Sequence, residues 1–396
     1  MSEMKEKPLE DYSEDEHIID VVEAFYCENQ DAEYNEAYKK WRSDEENEYV
    51  YTFVNDTREM AYLEGQGFIE KDPSDEAKKT LKKYMLVIGI AVLASLFVSF
   101  VGPFVFAGVF SLFGDNVRYD FFTGIYNLTD TQQIIVNMVL KTLRTVAPML
   151  VIFFVLKIPT KVAFPLKVVN KDVHKSAIPI TLVLFVVGEF GSNIFGIILN
   201  SLNIKYSPFT FFLPENNVEL IVMMLFDILV ISTIEELLFH GVIMQSMRQF
   251  GDGFAILASS TIAALSTCSI DRMLYIFIVS IGVGYVVLHS GSLYTGILMR
   301  IVLHACMFLS FYYSSIFSEE TARTHIILFY TICIVTGFFM LVMTVRKQKD
   351  FCEFEFKKMY LSTRDELKIA VTSQPIIFAC LVICYIFTIL SVEIVH

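Results

Sequence analysis

Residues 231–250 read ISTIEELLFHGVIMQSMRQF and place two adjacent glutamates, Glu235 and Glu236, inside an apolar run that begins near Val218. A charged residue at the centre of a membrane helix costs about 2.5–3.5 kcal/mol on insertion scales, so an intramembrane carboxylate generally faces a cavity or a charged partner. His240 follows Glu236 by four residues and therefore shares its helix face. We expect the rest of the chain to form a membrane scaffold that brings other polar groups to this segment.

The composition is that of a polytopic membrane protein. Of the 396 residues, 54% are hydrophobic and 36 are phenylalanine. The net charge of −13 arises in residues 1–83, which contain 24 Asp and Glu residues against 11 Lys and Arg residues, whereas residues 84–396 contain 20 of each. Because the chain lacks a basic surface signature, we expect no nucleic-acid partner.

Residues 1–83 form a polar, acidic N-terminal extension. Apolar residues recur there at helical spacing in two sets, Ile18, Val22 and Phe25 and then Tyr34, Tyr38 and Trp41. Residues 49–54, YVYTFV, indicate a strand or a buried patch. Two interpretations remain open: a docking or regulatory domain, or a solvated acidic tail with little core of its own.

Apolar segments after residue 84 predict an all-α fold, a polytopic transmembrane helical bundle of about eight or nine spans. Residues 131–144 are apolar but contain Lys141 and Arg144, which indicates a partly interfacial segment. The predicted spans are residues 85–113, 146–155, 178–202, 218–246, 254–269, 274–288, 293–313, 326–344 and 375–395. Residues 84–396 are thus expected to form one transmembrane domain, with the lipid bilayer as its first partner.

The basic residues predict the orientation of the chain in the membrane. Four lysines at positions 78, 79, 82 and 83 precede the first span, five more lie within residues 157–175, and Arg346 and Lys347 follow the eighth span. Each of these groups falls on the same predicted side, which is the cytoplasmic side by the positive-inside rule. We therefore expect a cytoplasmic N-terminus.

Several neighbouring spans carry ionisable groups. Arg300 and His304 are four residues apart and share a helix face. A buried arginine needs a carboxylate partner, and Glu235 or Glu236 is the obvious candidate. The conservative interpretation is a buried ion pair that fixes helix packing. The paired glutamates, together with histidines and an arginine on neighbouring spans, favour a functional polar cavity.

Three activities fit such a cavity. A poorly solvated carboxylate can act as a general base toward water while Arg or protonated His stabilises an oxyanion, which together suit peptide hydrolysis. Metal binding by Glu236, His240 and His304 is a second possibility, but the sequence lacks an HExxH motif, so we expect no cofactor. Proton or ion movement along Glu189, Asp227 and Glu235 is a third.

The sequence EELLFHG, followed by a run ending RQFG, resembles the first signature of the CPBP family, the CAAX-protease and bacteriocin-processing membrane proteins also called Abi or Rce1-like. The family pattern has two glutamates, three further residues and then an arginine, and here His240 stands at the arginine position. The turn His289-Ser290-Gly291-Ser292-Leu293 also resembles the family. The resemblance covers residues 178–308.

Three polar positions depart from the family pattern. The family's Phe-x-x-x-His falls on Ala263 or Ala264 and on Thr267 or Cys268, and its His-x-x-x-Asn falls on Arg300 and His304. The resemblance implies that Glu235 activates water and that Glu236 is its neighbour. His240, Arg300 and His304 would then share the remaining roles of binding and polarising the substrate.

The sequence therefore predicts an intramembrane endopeptidase in which Glu235, Glu236, His240, Arg300 and His304 form the site. Its substrate would be a membrane-associated peptide or protein, and the resemblance favours a bacterial plasma membrane. The alternative is a catalytically inactive CPBP-like scaffold or binding protein that keeps the cavity.

Overall fold

The structure is a computed structural model. It describes residues 27, 29–44, 46–50, 60–63, 67–70, 73–112, 116–121, 124–204, 206, 214, 216–347, 361–374 and 382. The predicted ninth span, the predicted helix around residues 18–25 and residues 51–54 of the predicted strand lie outside these residues.

Helices dominate the described part of the chain, which confirms the predicted all-α class. The helices are α1 (Ala32–Arg42), α2 (Pro73–Phe100), α3 (Gly102–Ser111), α4 (Asp130–Val155), α5 (Thr160–Ala163), α6 (Lys171–Ser201), α7 (Asn217–Phe250), α8 (Asp252–Ser266), α9 (Ile270–Ser290), α10 (Leu293–Ile316), α11 (Glu319–Lys347) and α12 (Thr363–Thr372). Two short antiparallel hairpins accompany them, β1 (Met60–Leu63) with β2 (Gly67–Glu70) and β3 (Tyr119–Asp120) with β4 (Ile125–Tyr126).

Seven of the described helices, α2, α4, α6, α7, α9, α10 and α11, are long and apolar enough to cross a membrane. At 15 residues, α8 is shorter than the roughly 20 residues that a full crossing requires. Large apolar side chains remain exposed on the outside of the bundle, for example Phe97, Phe154, Phe190 and Val335. Such an apolar exterior suits lipid contact, and the chain is an integral membrane protein.

Residues 131–144 and the predicted second span, residues 146–155, belong to one helix, because α4 runs without a break from Asp130 to Val155; the partly interfacial position of residues 131–144 stays a prediction. The charge that suggested an interface is compensated inside the bundle, since Lys141 Nζ lies 2.8 Å from Asp227 Oδ1 on α7. Pro148 is accommodated within the same helix. The second span is therefore a single long helix.

Helix α7 contacts α4, α5, α8 and α10, and its C-terminal half is buried, whereas residues 218–230 carry several exposed apolar side chains. Helix α6 packs along α9, α10 and α11, and α2 packs along α4. The core beside α7 contains fully buried aromatic residues, including Phe250 and Phe254. The segment with the paired glutamates is thus surrounded by other helices.

The N-terminal extension docks onto one end of this bundle. Tyr34, Tyr38 and Trp41 are buried on one side of α1, which confirms their predicted helical spacing. Trp41 Nε1 donates to the carbonyl oxygen of Leu156 at 3.1 Å. The described part of residues 27–50 is therefore packed against the bundle and is not a solvated tail, whereas a regulatory role stays a prediction.

Charged and polar contacts fix α1 to the end of α7. The Tyr34 hydroxyl donates to Gln245 Oε1 at 2.9 Å and accepts from Arg248 Nη1 at 3.1 Å. Glu33 also forms an exposed ion pair with Lys161 at 2.8 Å. The extension and the lysine-rich loop before α6 thus lie at the same end of the bundle, and the assignment of that end to the cytoplasm stays a prediction.

The turn between α9 and α10 is built from the predicted Ser-Gly-Ser-Leu sequence. Gly291 has a φ of +67°, which lies in the left-handed region that favours glycine. The backbone N–H of Leu293 donates to the carbonyl oxygen of Pro165 at 2.7 Å, and the Ser292 hydroxyl donates to the carbonyl oxygen of Leu166 at 2.9 Å. These bonds fix the start of α10, the helix that carries Arg300 and His304.

Candidate active site

The paired glutamates lie between two wider turns of α7. Residues 226–231 and 237–243 are π-helical, and a short α-helical stretch, Ser232–Glu236, separates them. Such π-helical turns occur frequently at functional sites because they rotate the following side chains relative to a regular helix. The local helix geometry therefore marks the same segment that the sequence singled out.

Glu236 is the centre of a fully buried ionic cluster. Its Oε1 atom lies 2.9 Å from His240 Nδ1, and its Oε2 atom lies 3.3 Å from Arg300 Nε. The side chains of Glu236 and His240 have no exposed surface. The carboxylate thus compensates a buried guanidinium, which is the arrangement that a charge at membrane depth requires.

Helix α9 completes this cluster through Ser280. Its carbonyl oxygen lies 3.0 Å from His240 Nε2, and its hydroxyl lies 3.5 Å from Arg300 Nη2. Since a carbonyl oxygen only accepts hydrogen bonds, Nε2 carries the hydrogen in this contact. The imidazole of His240 therefore lies between Glu236 on α7 and Ser280 on α9. The guanidinium of Arg300, from α10, contacts the same two residues.

Gly296 makes room for the Glu236 carboxylate. It lies one turn before Arg300 on α10, and a β-carbon at this position would overlap Glu236 Oε1. The absence of a side chain at residue 296 lets α10 approach α7 closely enough for Arg300 to reach Glu236. The cluster consequently depends on a backbone contact as well as on its charged groups.

Glu235 has a different environment. Its Oε2 atom lies 3.3 Å from His304 Nε2, and the two side chains retain 20% and 14% of their exposure. His304 follows Arg300 by one turn on α10, so a single face of α10 contacts both glutamates. The two carboxylates are thus neighbours in sequence with separate partners.

Glu235 lines a cavity between the helices, whereas Glu236 does not. The cavity has a volume of about 60 Å³, which exceeds what a single water molecule needs. Its walls are formed by Ser95, Arg144, Thr145, Pro148, Ile152, Glu235, Leu238, Phe239, Ile243, Ile262, Ala263, Ser266, Thr267, Ile276 and Arg300. One carboxylate, two guanidinium groups and several hydroxyls therefore face a space that is otherwise apolar.

The segment that carries these residues matches a known protein family. Residues 217–309 match the family model described as "Type II CAAX prenyl endopeptidase Rce1-like". The chain carries an Rce1-like domain. The match is consistent with the resemblance to the CPBP family. No curated protein and no solved structure matches the chain.

The Rce1-like domain contains all five residues predicted for the site, and the structure brings them together in two groups. Glu236, His240 and Arg300 form the buried cluster, while Glu235 and His304 lie at the cavity. Their roles in catalysis stay predictions.

Glu236, His240 and His304, the residues of the possible metal site, do not lie in one group. His304 pairs with Glu235, whereas His240 pairs with Glu236. Within the described residues there is no cluster of three His, Cys, Asp or Glu side chains that could hold a metal ion. Two acidic groups of the predicted proton or ion path are paired with basic residues. Glu189 lies 2.6 Å from Arg272, and Asp227 lies 2.8 Å from Lys141.

The position of the family's missing histidine is also at the cavity. Ala263 and Thr267 line it from the end of α8, and the Thr267 hydroxyl donates to the backbone carbonyl of Ala264 at 2.7 Å. Of the residues that the resemblance aligns with the family's Phe and His, Ala263 or Ala264 and Thr267 or Cys268, the cavity wall therefore contains a methyl group and a hydroxyl.

Sequence reasoning missed Arg144, which lines the cavity from outside the Rce1-like domain. The signal was present, because an arginine within an apolar segment of membrane length is unusual. Lys141, one turn earlier, adds a second charge that favours an interface, and its partner Asp227 is 86 residues away, which the sequence alone does not reveal.

Proposed function

We propose that the protein is an intramembrane endopeptidase of the CAAX-protease type and that Glu235 is its general base. The observation that supports this proposal is the position of Glu235 on the wall of a cavity large enough for water, 3.3 Å from His304. The match of residues 217–309 to the Rce1-like family supports the reaction class.

In this proposal Glu235 takes a proton from a water molecule in the cavity, and the water oxygen bonds to the carbonyl carbon of the substrate. Arg300, which also faces the cavity, stabilises the negative charge that develops on the carbonyl oxygen. The protonated Glu235 then donates its proton to the leaving nitrogen as the C–N bond breaks. The products are a carboxylate and an amine.

The partners of Glu235 support its role as the base. His304 Nε2 can donate a hydrogen bond to the carboxylate and hold it toward the cavity. Glu236 acts as a positioning residue in this proposal, because its bond to Arg300 Nε fixes the guanidinium whose other face reaches the cavity. The substrate would be a membrane-associated peptide or protein that approaches from the bilayer.

The test is cleavage of an S-farnesylated peptide with a C-terminal Cys-Val-Ile-Met sequence by the full-length protein in liposomes, followed by mass spectrometry. Glu235→Gln is expected to lower the rate at least about 100-fold, since a positioned general base contributes 10²–10⁴-fold. Glu219→Gln is the matched control, because Glu219 lies at the start of the same helix and outside the cavity wall. Equal rates for wild type and Glu235→Gln would contradict the proposal.

The second candidate is a catalytically inactive membrane scaffold or binding protein. Ala263 and Thr267 at the positions of the family's Phe and His favour it, because the cavity receives no imidazole from α8. This candidate predicts peptide binding without cleavage by the wild-type protein, and unchanged binding after Glu235→Gln.

A further inference from the structure

Arg144 is the ionisable residue of the cavity wall that the proposed reaction does not use. It lies on α4 and contributes to the same wall as Glu235, with Thr145, Pro148 and Ile152 from later turns of that helix. The residue is half-buried. An arginine in this place needs a physical explanation, because a guanidinium at membrane depth is costly unless its charge is compensated.

Three other cations within the membrane helices have a carboxylate partner. Lys141 lies 2.8 Å from Asp227, Arg272 lies 2.6 Å from Glu189, and Arg300 lies 3.3 Å from Glu236. Across the described part of the chain, Arg144 makes neither an ion pair nor a side-chain hydrogen bond. Its guanidinium is therefore the one on the cavity wall whose N–H donors have no partner among the described residues.

The hydrogen-bond donors of Arg144 favour an anionic ligand. Three wall residues are ionisable, Arg144, Glu235 and Arg300. Arg300 is paired with Glu236, and Glu235 contacts His304. The N–H groups of Arg144 have no such partner among the described residues and consequently remain for a group that enters the cavity.

The geometry of a guanidinium narrows the choice of anion. Its planar fork matches a carboxylate with two parallel N–H···O bonds. A cavity of about 60 Å³ inside a helix bundle suits the end of a chain better than a strand that continues in both directions.

We propose that Arg144 is a specificity-determining residue that binds the C-terminal carboxylate of the peptide substrate. The inference rests on the proposed endopeptidase function and adds the group by which the substrate is selected. Arg144 touches the substrate at its chain end, whereas Glu235 acts on the peptide bond. The chain end is thereby fixed relative to the base.

The test compares two forms of the farnesylated Cys-Val-Ile-Met peptide, one with a free C-terminal carboxylate and one with a C-terminal amide. Binding to the full-length protein in liposomes is measured in the Glu235→Gln background, so that turnover does not interfere. With Arg144 present, the carboxylate form is expected to bind about 10- to 100-fold more tightly, since hydrogen bonds between charged groups are the strong ones. Arg144→Gln is expected to reduce this preference to near one.

Lys141→Gln is the matched control, because Lys141 is a cation one turn earlier on α4 whose charge Asp227 compensates. It is expected to leave the preference for the carboxylate unchanged. If Arg144→Gln lowers the melting temperature, Arg144→Lys replaces it, and this variant is expected to keep the preference with weaker binding because it keeps the charge without the fork.

Equal binding of the two peptide forms to protein that retains Arg144 would overturn the inference, as would a preference that survives Arg144→Gln. Failure of either form to bind would overturn it as well. A carboxylate preference that depends on Arg144, with no cleavage when Glu235 is restored, would contradict the endopeptidase proposal and leave the binding inference standing.

Discussion

Glu235 and Glu236 are adjacent in sequence and lie in two different environments. Glu236 has no exposed surface and is enclosed by His240 and Arg300, whereas Glu235 retains 20% of its exposure and faces a cavity with His304 beside it. Successive residues of a helix are separated by about 100°. One carboxylate can therefore hold the bundle together while its neighbour remains free for chemistry.

The difference shows that two adjacent intramembrane carboxylates can have separate roles. A fully buried carboxylate that is paired with a guanidinium is closed off from solvent, and removing it leaves a charge without compensation. A carboxylate at a cavity can exchange partners at small cost. Substitutions at the two positions should therefore affect different observables.

The largest expected effect is on stability, from Glu236→Gln. This change leaves Arg300 buried without its carboxylate, and breaking a buried pair in this way typically costs about 3–5 kcal/mol. Thermal unfolding of the purified protein in detergent should show a strongly lowered melting temperature. Glu235→Gln is the natural comparison, because its cavity site should tolerate the change within about 1 kcal/mol. Similar melting temperatures for both variants would remove the distinction between the two environments.

Gly296→Ala should disturb the Glu236 cluster without changing any charge. The added methyl group would overlap Glu236 Oε1, so α10 has to move away from α7 or the carboxylate has to rotate. Overpacking of this kind typically costs about 1–3 kcal/mol. Gly108→Ala is a suitable control, because a β-carbon at that glycine meets nothing within 4 Å. Equal unfolding temperatures for Gly296→Ala and wild type would show that the close approach is dispensable.

A third carboxylate, Glu366 on α12, extends the comparison to a group outside the membrane-spanning helices. Burial, and secondarily the nearby Asp365, raises the pKa of Glu366 from 4.5 to about 8. An acid whose pKa is raised on folding favours the folded state when it is protonated. Its stabilising contribution is therefore present below pH 4.5 and is lost as the pH rises toward 8.

Glu366→Gln should remove this pH dependence. The variant is expected to match wild type near pH 5 and to melt a few degrees higher at pH 9, where the wild-type carboxylate has to be ionised in a buried site. Melting curves across this pH range measure the effect, with Glu46→Gln, at an exposed carboxylate of the N-terminal extension, as the control. A wild-type melting temperature that rises from pH 5 to pH 9 relative to that of Glu366→Gln would contradict the raised pKa of Glu366.

The sequence predicted the membrane scaffold because long apolar runs and basic loops are local signals. It also predicted that the glutamates, His240, Arg300 and His304 converge, since residues four apart share a helix face and a buried arginine needs an acid. It left open which glutamate Arg300 contacts, because that choice depends on the rotation of α7 and the close approach of α10 at Gly296.

Three features escaped prediction for a different reason. The continuity of α4 and the cavity position of Arg144 depend on partners far away in sequence, such as Asp227 for Lys141. The docking of α1 likewise depends on Gln245 and Arg248, which become its neighbours only when the bundle has formed. Such long-range contacts have no periodic signature in the amino-acid sequence.

The most direct test is a joint measurement of cleavage rate and melting temperature for Glu235→Gln, with wild type beside it in the same liposome preparation. The predicted result is a rate at least about 100-fold lower at an almost unchanged melting temperature, because Glu235 serves the reaction and Glu236 serves the fold. A Glu235→Gln protein that cleaves at the wild-type rate, or one that loses its fold together with its activity, would contradict this division.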